Sequence, residues 1–134
     1  MSQRLLDASR SGVYRAPRAD DIVRAAAGRD LSLVKIKFQA KDKLLRGIAA
    51  ALDFPDWFGE NWDALEDCLS DLSWRKAAGH VLLFERAKVG DDFGVLLDVL
   101  RSVAEYWATR STPFFAVFID PAGVLPLPQL CAPK

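Results

Sequence analysis

The chain has 134 residues, of which 51% are hydrophobic and 27% charged, as is typical of one globular domain with a single core and not of a disordered chain. No apolar run approaches the roughly 18 residues that cross a bilayer, and the basic N-terminus lacks the apolar stretch of a secretory signal, so neither a membrane-spanning nor an exported protein is predicted. With only Cys68 and Cys131 present, no disulfide framework is expected, and a reducing, cytoplasmic compartment is predicted.

The first 30 residues predict an extension that is polar at first and then forms one short helix. Asp20 or Asp21 can cap this helix, the run IVRAAA fills it, and Gly28 can end it. Residues 31–38, LSLVKIKF, are rich in β-branched and aromatic side chains and predict the first strand.

Two helices are predicted between this strand and the next one. Residues 41–53 place apolar side chains at helical spacing, and Pro55 marks the end of that unit. The second helix runs from about Asn61, a good N-cap residue, to about Leu72. Its apolar residues lie three and four positions apart and form a predicted buried stripe: Leu65, Cys68, Leu69 and Leu72.

The rest of the chain predicts two further strands and one long helix. The apolar runs HVLLFE (80–85) and FFAVFI (114–119) are typical of strands covered on both faces, and Asp91–Arg110 between them has a clear helical periodicity. This order predicts an α/β fold with a small three-stranded, mostly parallel sheet, helices packed on it and right-handed crossovers. Residues 121–134 form a proline-rich tail that cannot join a sheet interior.

The acidic residues are concentrated in residues 53–74, which we call the acidic segment. It contains seven acids and no basic residue, so the rest of the chain carries 18 basic against 11 acidic residues. The seven acids are Asp53, Asp56, Glu60, Asp63, Glu66, Asp67 and Asp71. Because phosphates are bound by lysine and arginine, this segment is not expected to bind nucleic acid, and a cationic partner is predicted instead.

The predicted second helix turns its acids outward when its apolar stripe faces inward. Asp63, Asp67 and Asp71 are then successive i, i+4 neighbours, and like charges at this spacing cost a few tenths of a kcal/mol per pair. Four aromatic residues bracket this face: Trp57, Phe58, Trp62 and Trp74. Aromatic anchors beside charged groups are typical of protein interfaces. On composition alone, the favoured interpretation is a solvated helix face with tryptophans in the core.

The run FPDWFGENWDALEDCL, residues 54–69, resembles the signature of the barstar family, small intracellular inhibitors of secreted ribonucleases related to barnase. The family pattern is met by Pro55, Trp57, Phe58, Gly59, Asn61, Trp62, Asp63, Ala64, Leu65, Asp67, Cys68 and Leu69. Weaker similarity covers residues 31–120, but neither the first 30 residues nor the tail. The resemblance implies a barstar-like inhibitor domain at 31–120 whose acidic loop and helix, 53–74, block the basic active-site cleft of a barnase-like ribonuclease. Its carboxylates would take the place of substrate phosphates.

The resemblance also implies roles for individual residues. Asp67 matches the family's central carboxylate, expected to pair with arginines and a histidine of the cleft, and Asp63 matches a second carboxylate at the helix start. Trp57 stands where the family usually has a tyrosine that packs on the enzyme's catalytic histidine. The same match assigns six more residues to the partner-binding site: Phe58, Gly59, Asn61, Trp62, Ser70 and Trp74.

Three differences from the family pattern leave the identity of the inhibited enzyme open. The family's contact glutamate on the later helix falls on Ser102, with Glu105 almost a turn away. A contact tryptophan corresponds to Leu72 without a gap, or to Trp74 with a shift of two. The segment between Trp74 and His80 also differs in length.

The sequence is also compatible with functions other than ribonuclease inhibition. A binding module or antitoxin of the same fold, directed at a different cationic protein, is the main alternative. A metal-dependent hydrolase built on Glu60, Asp63 and Asp67 is a remote one. The chain has no Ser/His/Asp set, phosphate-binding loop or zinc spacing, and His80 opens an apolar strand, so neither catalysis nor a cofactor is expected.

Four further expectations concern partners and the remaining residues. No membrane partner is expected, and the free protein is expected to be a monomer. Cys68 is expected to be an inert buried thiol. The N-terminal arginines either contact the acidic helix or are solvated, and solvation is the favoured expectation.

Overall fold

The computed structural model describes residues 7–37, 41–55, 59, 61–72, 77–85, 91–128 and 130. Within them, four strands form one parallel sheet in the order β1-β4-β3-β2. The strands are β1 (Gly12–Ala16), β2 (Leu31–Lys37), β3 (Gly79–Glu85) and β4 (Phe114–Ile119). The α/β class and the parallel sheet are therefore confirmed.

Four α-helices connect and cover the strands in the described part of the chain. They are α1 (Ala19–Ala26), α2 (Lys41–Ala51), α3 (Trp62–Asp71) and α4 (Asp91–Thr109). Helix α1 packs on one face of the sheet, and the other three helices pack on the opposite face. The connection from β1 to β2 runs from one edge of the sheet to the other, whereas the connections from β2 to β3 and from β3 to β4 run back in the opposite direction. Crossovers of one hand must then lie on opposite faces.

The two central strands form the middle of the core, as their apolar runs predicted. Every residue of β4 except Ile119, and every residue of β3 except Glu85, is buried. Alternate side chains contribute to the two faces, with Phe84 and Phe118 stacked at 4.8 Å beneath the three-helix layer and Phe115 on the α1 side. None of the described helices is long and apolar enough to cross a membrane.

The prediction of three strands was wrong, because β1 adds a fourth strand beside β4. Its register runs from Gly12 opposite Phe115 to Ala16 opposite Ile119. The five residues GVYRA carry little strand signal of their own, and they pair with a strand about one hundred residues later in the chain. The long-range pairing, and not the local pattern, makes them a strand.

Helix α1 lies where the sequence placed it, but neither predicted aspartate caps it. Arg18 occupies the N-cap without a side-chain hydrogen bond, and Asp20 and Asp21 lie in the first turn, where the helix dipole still favours their charge. Arg24 pairs with Asp21 at 3.1 Å. Among the described residues, no ion pair joins an N-terminal arginine to α3.

The C-terminal tail lies along the outer edge of β1. The Arg15 N–H donates to the Pro128 carbonyl at 2.8 Å, and the Leu130 N–H donates back to the Arg15 carbonyl at 2.9 Å. Leu125, Leu127 and Leu130 are buried. Proline lacks an N–H but keeps its carbonyl acceptor, so a proline-rich segment can cover a sheet edge although it cannot enter a sheet interior.

Candidate partner-binding surface

Helix α3 begins at a side-chain cap, as the sequence predicted. Asn61 has an extended backbone, and its Oδ1 accepts a hydrogen bond from the Ala64 N–H at 2.7 Å. Its Nδ2 donates to the Gly59 carbonyl at 3.4 Å. Asn61 therefore caps the first turn of α3 and also bonds to the loop backbone two residues before it.

The inward face of α3 is the predicted apolar stripe. Leu65, Cys68 and Leu69 are 0% exposed and Leu72 is 2% exposed, and the leucines belong to the core cluster that α2 and α4 share. Burying leucine side chains of this kind contributes about 1.5–3 kcal/mol each. This packing fixes the rotation of the helix and therefore decides which residues face solvent.

The outward face of α3 carries only negative charge. Asp63, Glu66, Asp67 and Asp71 are all exposed. Among the described residues, neither the Asp63 nor the Asp67 carboxylate forms an ion pair or a hydrogen bond. Both carboxylates are therefore exposed and unpaired within the described part of the chain, and the orientation of the helix predicted from the sequence is confirmed.

The negative charge on the outward face of α3 affects the buried Cys68 thiol on its inward face. Burial raises the pKa of the Cys68 thiol, and the neighbouring Asp67 and Asp71 carboxylates raise that pKa further because they oppose a second negative charge. The thiol stays protonated near neutral pH, and this disfavours its reaction as a nucleophile. Cys68 is a buried, free thiol, as expected.

The C-terminal end of α3 is held by α4. Leu72 adopts a left-handed conformation with φ of 47°, and its N–H donates to the Cys68 carbonyl at 3.1 Å. The Trp107 Nε1–H donates to the Leu69 carbonyl at 2.8 Å. The Trp107 ring lies 5.5 Å from the buried His80 ring. The helical periodicity of residues 91–110 did not predict this contact, although a buried indole N–H usually requires an acceptor.

The acidic segment begins at the cap of the preceding helix. The Phe54 N–H donates to the Ala49 carbonyl at 2.9 Å and the Asp53 N–H to the Ala50 carbonyl at 3.4 Å, the two bonds that close a helix in a Schellman motif. Asp53 occupies the position usually taken by glycine, with φ of 56°. The chain thus leaves α2 with an exposed acid, while the half-buried Phe54 packs against the core.

The other predicted contact residues differ in their surroundings. Gly59 is exposed, whereas Ser70 is half-buried. Trp62 is half-buried and packs against the core, so part of its ring is used within the protein. Trp57, Phe58 and Trp74 lie outside the described residues, as do the acids Asp56 and Glu60.

The two candidate contact residues on α4 are both at the surface. Ser102 and Glu105 are exposed, so either side chain can reach a partner that also contacts α4. Within the described part of the chain, no group of three or more His, Cys, Asp or Glu side chains is arranged to hold a metal ion.

Together these features define a small α/β domain in which α3, packed against the core, presents exposed carboxylates that form no ion pair within the described residues. The model of the family described as Barstar (barnase inhibitor) matches residues 31–119. Because this match covers more than half of the chain, the protein belongs to the barstar family, which is a family of inhibitors and not of catalysts. No curated protein matches the chain in sequence. The matched region begins at β2 and ends with β4, so β1, α1 and the tail lie outside it.

Proposed function

We propose that this protein is an intracellular inhibitor that binds a barnase-like ribonuclease and blocks its basic active-site cleft with residues 53–74. The observation that carries the proposal is that the Asp63 and Asp67 carboxylates of a barstar-family domain are exposed and free of the chain's own cations in the described structure. A cleft built to bind RNA phosphates offers lysine, arginine and histidine side chains, which an exposed row of carboxylates can pair with.

The physical basis of the inhibition is imitation of the RNA backbone. Asp67 is the proposed central anchor, and Asp63 contacts the cleft one helical turn earlier. Desolvated pairs between carboxylates and guanidinium groups contribute to slow dissociation, while the remaining acids attract the enzyme over a longer distance. Trp57, Phe58, Gly59, Asn61, Trp62, Ser70 and Trp74 complete the proposed contact surface.

The proposal includes the state and the location of the protein. We place the free inhibitor in the cytoplasm as a monomer, where it protects RNA from an enzyme that acts after export. Neither a nucleic acid nor a membrane is part of the proposed complex, because the binding face carries only negative charge in its described part.

A second candidate is an antitoxin or binding module for a different cationic protein. The specific support for it is on α4, where Ser102 stands at the position matched to the family's contact glutamate and Glu105 is exposed nearby. A carboxylate at a different place on α4 from the family's contact glutamate would be complementary to a cleft whose basic residues are arranged differently from those of barnase.

Titration of purified barnase with this protein tests the first candidate. We expect ribonuclease activity to fall in proportion to the added protein and to reach zero near one equivalent. Full activity at a tenfold excess, for barnase and for other basic ribonucleases of its class, would overturn ribonuclease inhibition. Capture from an extract of the source cell by the immobilised protein, followed by identification of the bound protein, would then test the second candidate.

A further inference from the structure

The last turn of α3 combines several destabilising features. Asp67 and Asp71 are like charges one turn apart, and Asp71 lies at the helix end that the dipole makes unfavourable for an anion. Leu72 then adopts a left-handed conformation that is strained for a residue with a side chain. A helix end with these features is expected to fray unless another element holds it.

Trp107 supplies a tertiary contact at this place. The carbonyls of the last four residues of a helix have no donor within the helix, and the Leu69 carbonyl is one of them. It accepts the Trp107 indole N–H at 2.8 Å. The bond joins α4 to α3 at a residue that lies midway in sequence between Asp67 and Asp71.

Trp107 is itself fixed by its neighbours. Its ring is tilted against the buried His80 ring of β3 at 5.5 Å. The Tyr106 ring meets it edge-on at 5.5 Å, and the Arg110 guanidinium lies 5.1 Å from the centre of the Tyr106 ring. An indole held in this way presents its N–H in one direction, so it can define the position of the Leu69 carbonyl.

We propose that Trp107 is a positioning residue for partner binding: its indole N–H keeps the last turn of α3 helical and thereby places Asp67 and Asp71 for the partner. The inference rests on the proposed function, because it assumes that α3 contacts a basic ribonuclease. Trp107 need not touch the enzyme. Its effect is to raise the fraction of molecules whose acidic helix is ordered before binding.

The substitution Trp107→Phe removes the N–H but keeps an aromatic ring beside His80. The Leu72 amide closes the last turn of α3 by donating to the Cys68 carbonyl. In the free Trp107→Phe protein, we expect the hydrogen-exchange rate of this amide to rise by threefold or more beyond any increase that a change in global unfolding causes. With barnase as the probe, we expect the dissociation rate to rise about three- to tenfold. The association rate should stay within twofold, because the charge is unchanged.

Val103→Ala is the matched control, since Val103 is a buried residue of the same helix and its truncation leaves the indole in place. Both variants are measured where each is more than 99% folded. We expect the control to lose stability with unchanged dissociation. Equal acceleration of dissociation in the control, or an unchanged Leu72 exchange rate in Trp107→Phe, would overturn the positioning role. If the unmodified protein does not bind barnase, ribonuclease inhibition is what fails, and the Leu72 exchange rate still decides whether Trp107 orders α3.

Discussion

Replacing Asp67 with alanine separates the use of this residue in binding from its effect on folding. Asp67 is exposed, lies one turn from Asp63 and one turn from Asp71, and forms no ion pair among the described residues. Within the described residues, its side chain therefore contributes repulsion and no compensating ion pair. We expect Asp67→Ala to weaken ribonuclease binding strongly and at the same time to stabilise the fold.

The two effects differ in sign and in size. Each like-charge pair at this spacing costs about 0.2–0.5 kcal/mol, so the loss of two pairs stabilises the helix by about 0.4–1 kcal/mol. The higher helix propensity of alanine adds up to about 0.7 kcal/mol. In the complex, truncating one partner of a buried charge pair costs about 2–5 kcal/mol, or a roughly 30- to 5,000-fold increase in Kd. That range comes from measured interfacial charge pairs, those of barnase and barstar among them, and not from the present structure.

Two measurements on the same protein sample check this expectation. The midpoint of guanidinium unfolding should rise in Asp67→Ala, and titration against barnase activity should show the loss of inhibition. Asp98→Ala is the control, because Asp98 is an exposed acid on α4 and its removal changes the net charge equally. Inhibition by Asp67→Ala at the level of the unmodified protein would refute the assignment of Asp67 as anchor. A clear loss of stability would show that its carboxylate has a partner within the protein.

Three further outcomes are expected. The association rate with the ribonuclease should fall steeply as salt is raised, because attraction by the acidic face is screened beyond about 10 Å at 0.1 M ionic strength; a rate independent of salt, measured by stopped flow, would contradict this. Leu69→Ala should lower the free energy of unfolding by about 2–5 kcal/mol through a buried cavity, and an unchanged melting temperature would show that the inward face of α3 is wrongly assigned. Ending the chain after Asp120 should expose the edge of β1 and produce concentration-dependent association by strand pairing, whereas a monomer in light scattering with unchanged melting would show that the tail does not protect this edge.

The parts of the structure that the sequence predicted well depend on local patterns. The spacing of Leu65, Cys68, Leu69 and Leu72 predicted the inward face of α3, and the outward position of its acids followed directly. Asn61 was identified as the cap because its side-chain oxygen can satisfy an N–H within the next three residues. Such features involve residues within two helical turns of one another, so their physical cause is visible in one short segment.

The parts that the sequence did not predict depend on residues far apart in the chain. Strand β1 exists because Gly12–Ala16 pairs with β4 and, on its other edge, with the tail through Arg15. The Trp107 bond to Leu69 joins positions 38 residues apart. Neither contact leaves a periodic signal in the segments that form it. Propensity alone could therefore identify the helices that carry the candidate surface, but not the contacts that hold them in place.

The division of α3 into a packed face and a charged face explains how the acidic row can be maintained. Repulsion along Asp63, Asp67 and Asp71 costs at most about 1 kcal/mol for the two pairs. Burial of Leu65 and Leu69 alone stabilises the helix by about 3–6 kcal/mol, and the Asn61 cap adds about 1 kcal/mol. The packed face thus outweighs the repulsion several-fold. Because the packed face supplies most of this stability, the charge of the exposed acids can be adapted to the proposed partner.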